Sequence, residues 1–326
     1  MRSAEKLYGT RTVFLAVFAT ITVLLLAGSL WVVGFVRNRA VALAPEDPYR
    51  LPAFVNYSTN TADYISAESN AAIAAYIQQY PEPQNVQVLV GLNTAAVWAY
   101  MTAQQSSALQ VDCTYCHNIA NFGADEAEPG QPNEWVARKA TARVHLRMVA
   151  DLNQNWLTQL QNVENKQPSG VNITCATCHY GVAQPIPYPE QQQGVPDNFR
   201  LPLADYAQPF DINAPRQLKV TGRTDLSLDA VQYNQHVMYY QNQSLGVGCT
   251  HCHNSRYFPD YAQPAKYYAI IMLQMNAHIL ETYGETFNGK EPSCTLCHNN
   301  QVIPPGAVIN AAQLPDMLNS EYTGGR

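Results

Sequence analysis

Cys113-Thr114-Tyr115-Cys116-His117 is a five-residue pattern that the chain uses four times. It returns as Cys175-Ala176-Thr177-Cys178-His179, Cys249-Thr250-His251-Cys252-His253 and Cys294-Thr295-Leu296-Cys297-His298. Cys-x-x-Cys-His is the attachment signature of a c-type haem. The two thiols add across the porphyrin vinyl groups, and the histidine lies under the iron as its proximal ligand. Paired Cys-x-x-Cys zinc sites are the alternative, but zinc has no use for a histidine directly after every second cysteine. The four motifs consume all eight cysteines, which leaves no thiol for a disulfide or a nucleophile. The expectation is four covalently attached haem c groups. Their thioethers come from Cys113, Cys116, Cys175, Cys178, Cys249, Cys252, Cys294 and Cys297, and their proximal ligands are His117, His179, His253 and His298.

Only 13% of the 326 residues are charged, while tyrosine numbers 20 and proline 21. That composition suits a mainly α fold with extensive loops and short helices wrapped around flat cofactors, which themselves fill much of the core. The formal charge of −6, without a basic run, argues against a nucleic-acid partner. Haem attachment of this kind takes place on the outer side of the cytoplasmic membrane, so the motif fixes the compartment.

Residues 12–36 run without a charge, TVFLAVFATITVLLLAGSLWVVGFV, long enough to cross a bilayer with some tilt. Flanking basic residues barely decide its orientation. The haems must lie outside, which puts the N-terminus in the cytoplasm. Ala42-Leu43-Ala44 has the look of a signal-peptidase site. Against cleavage, the apolar run is too long for an h-region, two arginines intervene, and Pro45 would follow the cut. A retained single-pass anchor over residues 1–43 is the expectation. Residues 44–84 are polar and proline-punctuated, with a helix expected around 67–80, and are expected to wrap the haem domain or contact a membrane partner.

The motifs sit in a repeating frame. Asn93 or Thr94 caps a helix that carries Val97 and Met101 on one face, and Met101 precedes Cys113 by twelve residues. Ser227 caps a second helix ending in Met238, eleven residues before Cys249. The tails CTYCHNIANF and CTHCHNSRYF match as well. Longer helices precede the other two motifs, WVARKATARVHLRMVADLNQNWLTQL and AKYYAIIMLQMNAHILETYG, and proline-bearing tails follow them. The frame is an internal duplication of helix–CxxCH units: residues 85–183 hold the first haem pair, a Pro/Gln-rich connection spans 184–225, 226–305 hold the second pair, and 306–326 form a tail.

A helix ahead of each motif can present a side chain to the open face of its haem, and thioether sulfur there favours ferrous iron. A lone helical methionine is ordinarily core filling. The repeated offset marks Met101 and Met238 as ligands instead. On the long helices the choice stays open, between His145 and Met148 for the second haem and between Met272 and Met275 for the fourth, with Met272 preferred. His278, His236 and His251 read as packing or hydrogen-bonded residues.

NVQVL, the helix to Met101, CTYCHN, RMVADLNQNW and CATCHYG together resemble the tetrahaem cytochrome subunit of photosynthetic reaction centres, over residues 85–305. The resemblance implies a subunit on the outer face of the reaction centre that re-reduces the photo-oxidised special pair. It also implies reduction by a soluble carrier, a small copper protein or cytochrome. The purple-bacterial lipid-bearing cysteine is absent, and a membrane helix stands in its place. His145 occupies the position of a family methionine. Gln159 occupies that of a histidine which, in the family, ligates the fourth haem. These departures make the chain look more like its counterparts in filamentous green phototrophs. An electron carrier without bond-making chemistry is the leading expectation. A membrane-anchored tetrahaem quinol dehydrogenase is the alternative, although such chains are usually shorter and favour bis-histidine ligation.

Overall fold

The computed structural model describes residues 2–43, 58, 60–130, 132–162, 170–185, 238–258, 260–287 and 292–321. The chain divides into two units, Met1–Pro48 and Tyr49–Arg326. The first holds helix α1, Arg2–Leu43. Its stretch Thr12–Phe35 is 24 residues long and apolar enough to cross a membrane by length and composition. At 1.5 Å per residue it measures about 36 Å, against a hydrocarbon core of about 30 Å. Within it, Thr20, Thr22 and Ser29 return their hydroxyls to Ala16, Phe18 and Leu26 carbonyls, so the helix satisfies its own polar side chains.

The second unit is mainly helical, and no strand appears among its described residues. Helix α2 covers Ala67–Gln79, one residue short of the expected end, with Ser66 as its N-cap. Asp112, next to the first motif, accepts from the Ser66 amide at 2.9 Å and from the Ser69 hydroxyl at 2.8 Å. Burial alone would raise that carboxyl, but these bonds and one from Thr114 hold it below its ordinary value. The polar segment ahead of the repeats thus clamps the loop that enters the first motif. Helix α3, Thr94–Tyr100, is capped by the Asn93 side chain on the Ala96 amide at 2.9 Å, and it runs on into a π-helical turn, Met101–Ser106.

Helix α4, Glu134–Asp151, is shorter than the uninterrupted helix the sequence suggests. It passes into a π turn, Leu152–Trp156, and a 3-10 turn, Leu157–Asn162. The physical reason is Asn153. Its side chain is fully buried and reaches out of the helix to pair with Ile173 twice, at 3.0 and 2.8 Å, and with the Leu318 carbonyl at 2.7 Å. Helices α5, Cys175–His179, and α7, Cys294–His298, are single turns formed by the second and fourth motifs themselves. Between them comes α6, Pro264–Tyr283, which has proline in its first turn.

Two apolar clusters flank α4. Met148, Val149 and Leu152 pack with Ile271 and Ile279 of α6, and Leu146 packs with Leu89, Tyr100, Leu314 and Leu318. The second cluster gives the C-terminal tail a task, since residues 306–320 strap the second motif. Asn172 and Val308 exchange backbone bonds, and the Thr174 hydroxyl donates to Gly306 O at 2.7 Å. Gly306 has φ +75°, and a Cβ there would meet Ala176 at 2.7 Å, so only glycine fits. Replacing Asn153 by alanine strands three buried backbone groups and is expected to cost about 3 kcal/mol. Thermal unfolding of the haem-loaded protein should then show a midpoint lower by roughly 6–12 °C. An unchanged midpoint would mean that the strap does not depend on this side chain.

Candidate haem-binding site

Every motif histidine is held in the same way. Nδ1 faces a backbone carbonyl: Phe122 for His117 at 3.3 Å, Val182 for His179 at 2.9 Å, Phe258 for His253 at 2.9 Å and Gln301 for His298 at 3.0 Å. A ring anchored through Nδ1–H presents Nε2 as the free base, which is the tautomer a metal ligand needs. Burial, followed by the charge of Lys139, lowers the His117 pKa to about 4, and burial lowers those of His179 and His298. Burial thus favours the neutral form of His117, His179 and His298, the form a metal ion takes up.

The anchors fall into two classes that alternate along the chain. In the first and third motifs the acceptor lies five residues after the histidine, the Cys-x-x turn is a 3-10 turn (Cys113–Tyr115 and Cys249–His251), and the acceptor's phenyl ring packs on the imidazole, centroids 5.5 and 5.1 Å apart. In the second and fourth the acceptor lies three residues on. The motif is an α turn capped by Thr174 or Ser293, and it ends on a left-handed residue, Tyr180 or Asn299.

The approach to the first and third motifs also repeats. Three residues before each first cysteine the backbone is left-handed, at Gln110 (φ 54°) and Gly246 (φ 66°). Two residues earlier, the Ala108 carbonyl accepts from Gly181 N and the Ser244 carbonyl from Asn300 N. Met101 and Met238 differ by one residue in their distance from these landmarks. The π turn Met101–Ser106 lies between, and a π turn holds one residue more than an α turn. Residues 238–245 form an ordinary α-helix. With the extra residue absorbed there, the two methionines occupy matching positions.

A continuous cavity of about 1040 Å³ runs through the second unit, walled mostly by apolar side chains. Residues of all four motifs reach it, and so do Met101, His145, Met148, Met272 and Met275. Met238 sits at the first described residue of its helix and is not part of that wall, nor are Cys249 and His253. The second and fourth motifs abut, with Cys178 and Cys297 sulfurs 3.0 Å apart. Val97 of α3 and Met101, at the start of the π turn that continues it, both line the cavity, as their spacing indicates.

His145 fits a metal ligand on three counts. Its Nε2 is buried without a hydrogen-bond partner. Its ring centroid lies 5.7 Å from that of His179. Burial, and then His179, lowers its pKa to about 4. Two imidazoles on one ion through bonds of about 2 Å would place their centroids roughly 6 Å apart. Met148, by contrast, is only 7% exposed and belongs to the α4–α6 core. Met272 and Met275 both border that core and the cavity.

The remaining polar candidates have other partners. His278 bonds Asp151 through Nε2 at 2.7 Å and Thr282 through Nδ1 at 3.2 Å, so both ring nitrogens are engaged. Gln159 is exposed and donates its amide to Asn155 O at 2.7 Å, a bond within its own helical turn. His251, expected as a hydrogen-bonded residue, is instead exposed at the cavity rim, without a ring hydrogen bond among the described contacts. His236, Ser227 and most of the 184–225 connection lie outside the described residues. The carbonyl anchors went unseen in the sequence; their only signal was the two classes of motif tail.

A search of protein families matches the photosynthetic reaction centre cytochrome c subunit over residues 51–193 and 210–295. Cytochrome c-554 of Chloroflexus aurantiacus is 37% identical, over 57% of this chain and 52% of the relative. The photosynthetic reaction center cytochrome c subunit of Thermochromatium tepidum is 29% identical over 55% of this chain and 46% of its own length. That of Roseobacter denitrificans is 26% identical over 73% of each. The chain thus spans about half the length of the first two, and it is more similar to the Chloroflexus protein than to the other two. With haem-type motifs, anchored imidazoles and this match in agreement, the chain belongs to the family of photosynthetic reaction centre cytochrome c subunits.

Proposed function

We propose that this protein is a four-haem electron carrier that re-reduces the photo-oxidised special pair of a reaction centre. The observation that carries the reading is the set of four motif histidines, each locked by a carbonyl at Nδ1, three of them lining one apolar cavity. Bound haem supplies a one-electron ferric/ferrous couple. The chain's residues set where that couple sits and how it is poised. The eight cysteines would hold the haems, the anchored histidines would each offer one nitrogen to iron, and the apolar wall would exclude water. Met101 and Met238 complete the first and third sites, His145 the second in preference to Met148, and Met272 the fourth in preference to Met275. The shared landmarks around the motifs support an internal duplication, with one haem pair per half.

The protein acts on the outer face of the cytoplasmic membrane, held by α1 with its N-terminus inside. Its partners there are the reaction-centre membrane subunits and a soluble donor, a small copper protein or cytochrome. No catalytic residue is assigned.

Two measurements test the reading. Intact mass should show four haem additions on one chain; three or fewer would break the motif assignment. In membranes, flash-oxidised pigment should be re-reduced quickly by the pre-reduced protein and slowly when the chain is missing. Unchanged kinetics, with quinol oxidation intact, would favour the quinol-dehydrogenase alternative.

A further inference from the structure

Two lysines are buried in the second unit, Lys139 at 7% exposure and Lys266 at 6%. They sit near the starts of α4 and α6, 127 residues apart, the same step that separates His145 from Met272 and Met148 from Met275. Lys139 Nζ donates to Phe122 O at 2.9 Å and Lys266 Nζ to Phe258 O at 2.8 Å. These are the carbonyls that anchor His117 and His253. One carbonyl has two lone pairs, so it serves both donors. The contact is confined to the five-residue class: among the described contacts no lysine reaches Val182 O or Gln301 O.

Both groups have the surroundings of an ammonium. Lys139 faces three acceptors, Phe122 O, Ala124 O at 2.5 Å and the Asp125 carboxylate at 3.1 Å. Lys266 faces Phe258 O, Asp260 O at 3.1 Å and the Tyr261 ring, 4.0 Å from its centroid. A neutral amine has only two N–H groups, whereas –NH₃⁺ has three. The compensation differs. Asp125 bonds Lys139 directly and is also held by Arg143 at 2.9 Å, while Lys266 has no carboxylate within ion-pair distance among the described residues.

We infer that Lys139 and Lys266 are positioning residues that raise the reduction potentials of the first and third haems through the Phe122 and Phe258 carbonyls. A carbonyl that also receives an ammonium N–H is a weaker acceptor for the imidazole, so the proximal ring is a poorer electron donor to iron. The buried positive charge adds to this by disfavouring the ferric state. Lys266 acts the more strongly because no carboxylate bonds it directly, the Asp260 charge reaching it only from beyond ion-pair distance. The inference rests on the four-haem reading, so haem content is measured first on every variant.

With four haems present, Lys266→Met is expected to shift one component of a spectroelectrochemical titration about tenfold toward the ferric form, or 59 mV for one electron. Lys266→Arg, which keeps the charge, should restore most of it. Lys139→Met should give a smaller downward shift, and Asp125→Asn an upward one. A change in haem count in the unsubstituted protein would instead strike the four-haem reading itself. Should Lys266→Met fail to load haem, Asp125→Asn decides, since it leaves both lysines and both carbonyls in place. Full loading with unmoved potentials overturns the inference, as do equal shifts in the Met and Arg variants or a downward shift in Asp125→Asn.

Discussion

Replacing Met101 by leucine is expected to lower the potential of one haem steeply and leave the other three near their parent values. Met238→Leu should do the same to a different haem. Leucine preserves volume, so the change removes a thioether from the cavity wall with less than about 1.5 kcal/mol of packing loss. Axial ligands move haem potentials over about 0.8 V, and methionine sulfur favours ferrous iron. Its removal should therefore consume a large part of that range. The structural ground is the match between the two approaches. Ala108 and Ser244, and Gln110 and Gly246, stand at equal distances from their motifs and make like backbone contacts. The extra residue on the Met101 side falls within the π turn. A redox titration of each variant, with loss of the sulfur-to-iron absorption band, is the measurement. If both variants titrate like the parent, the methionines are packing residues.

What could be read from residues alone follows from where the chemistry is local. A thioether attachment needs two cysteines and a histidine within five residues, so all four motifs were legible at once. Helix α3 was legible because Asn93 and the apolar spacing act within a few residues. Contacts across long separations were not legible. Asn153 meets Leu318 across 165 residues, and no periodicity on either side announces it. The break of α4 into a π turn follows from that contact, so the sequence suggested one unbroken helix. The strap formed by residues 306–320 read only as a tail for the same reason. Lys139 and Lys266 carry no signal beyond being charged residues on helices. Their meaning depends on loops that bring Phe122 and Phe258 carbonyls to them. The one-residue mismatch between Met101 and Met238 had no explanation until the π turn supplied it.

Changing His145 to methionine is expected to convert the lowest-potential component of the protein into one of the higher ones. The two long helices run in step: Lys139 with Lys266, His145 with Met272, Met148 with Met275, Asp151 with His278. The last pair even meets, His278 Nε2 on Asp151 Oδ2 at 2.7 Å. At this matching position the chain has His145 on α4 and Met272 on α6, so methionine is a side chain the repeated frame already holds there. His145 faces His179 with an unpartnered Nε2, the arrangement of a bis-histidine site. Imidazole stabilises ferric iron better than thioether does, so His145→Met should raise that potential by a sizeable fraction of the roughly 0.8 V ligand range. Low-temperature paramagnetic resonance should lose its bis-histidine signal in the same variant. Met148→Leu is the counter-test. Met148 lies in the α4–α6 core at 7% exposure, so this exchange should cost less than about 1.5 kcal/mol and move no potential. If Met148→Leu shifts a haem while His145→Met shifts none, the ligand is Met148, and the 5.7 Å approach of His145 to His179 is packing.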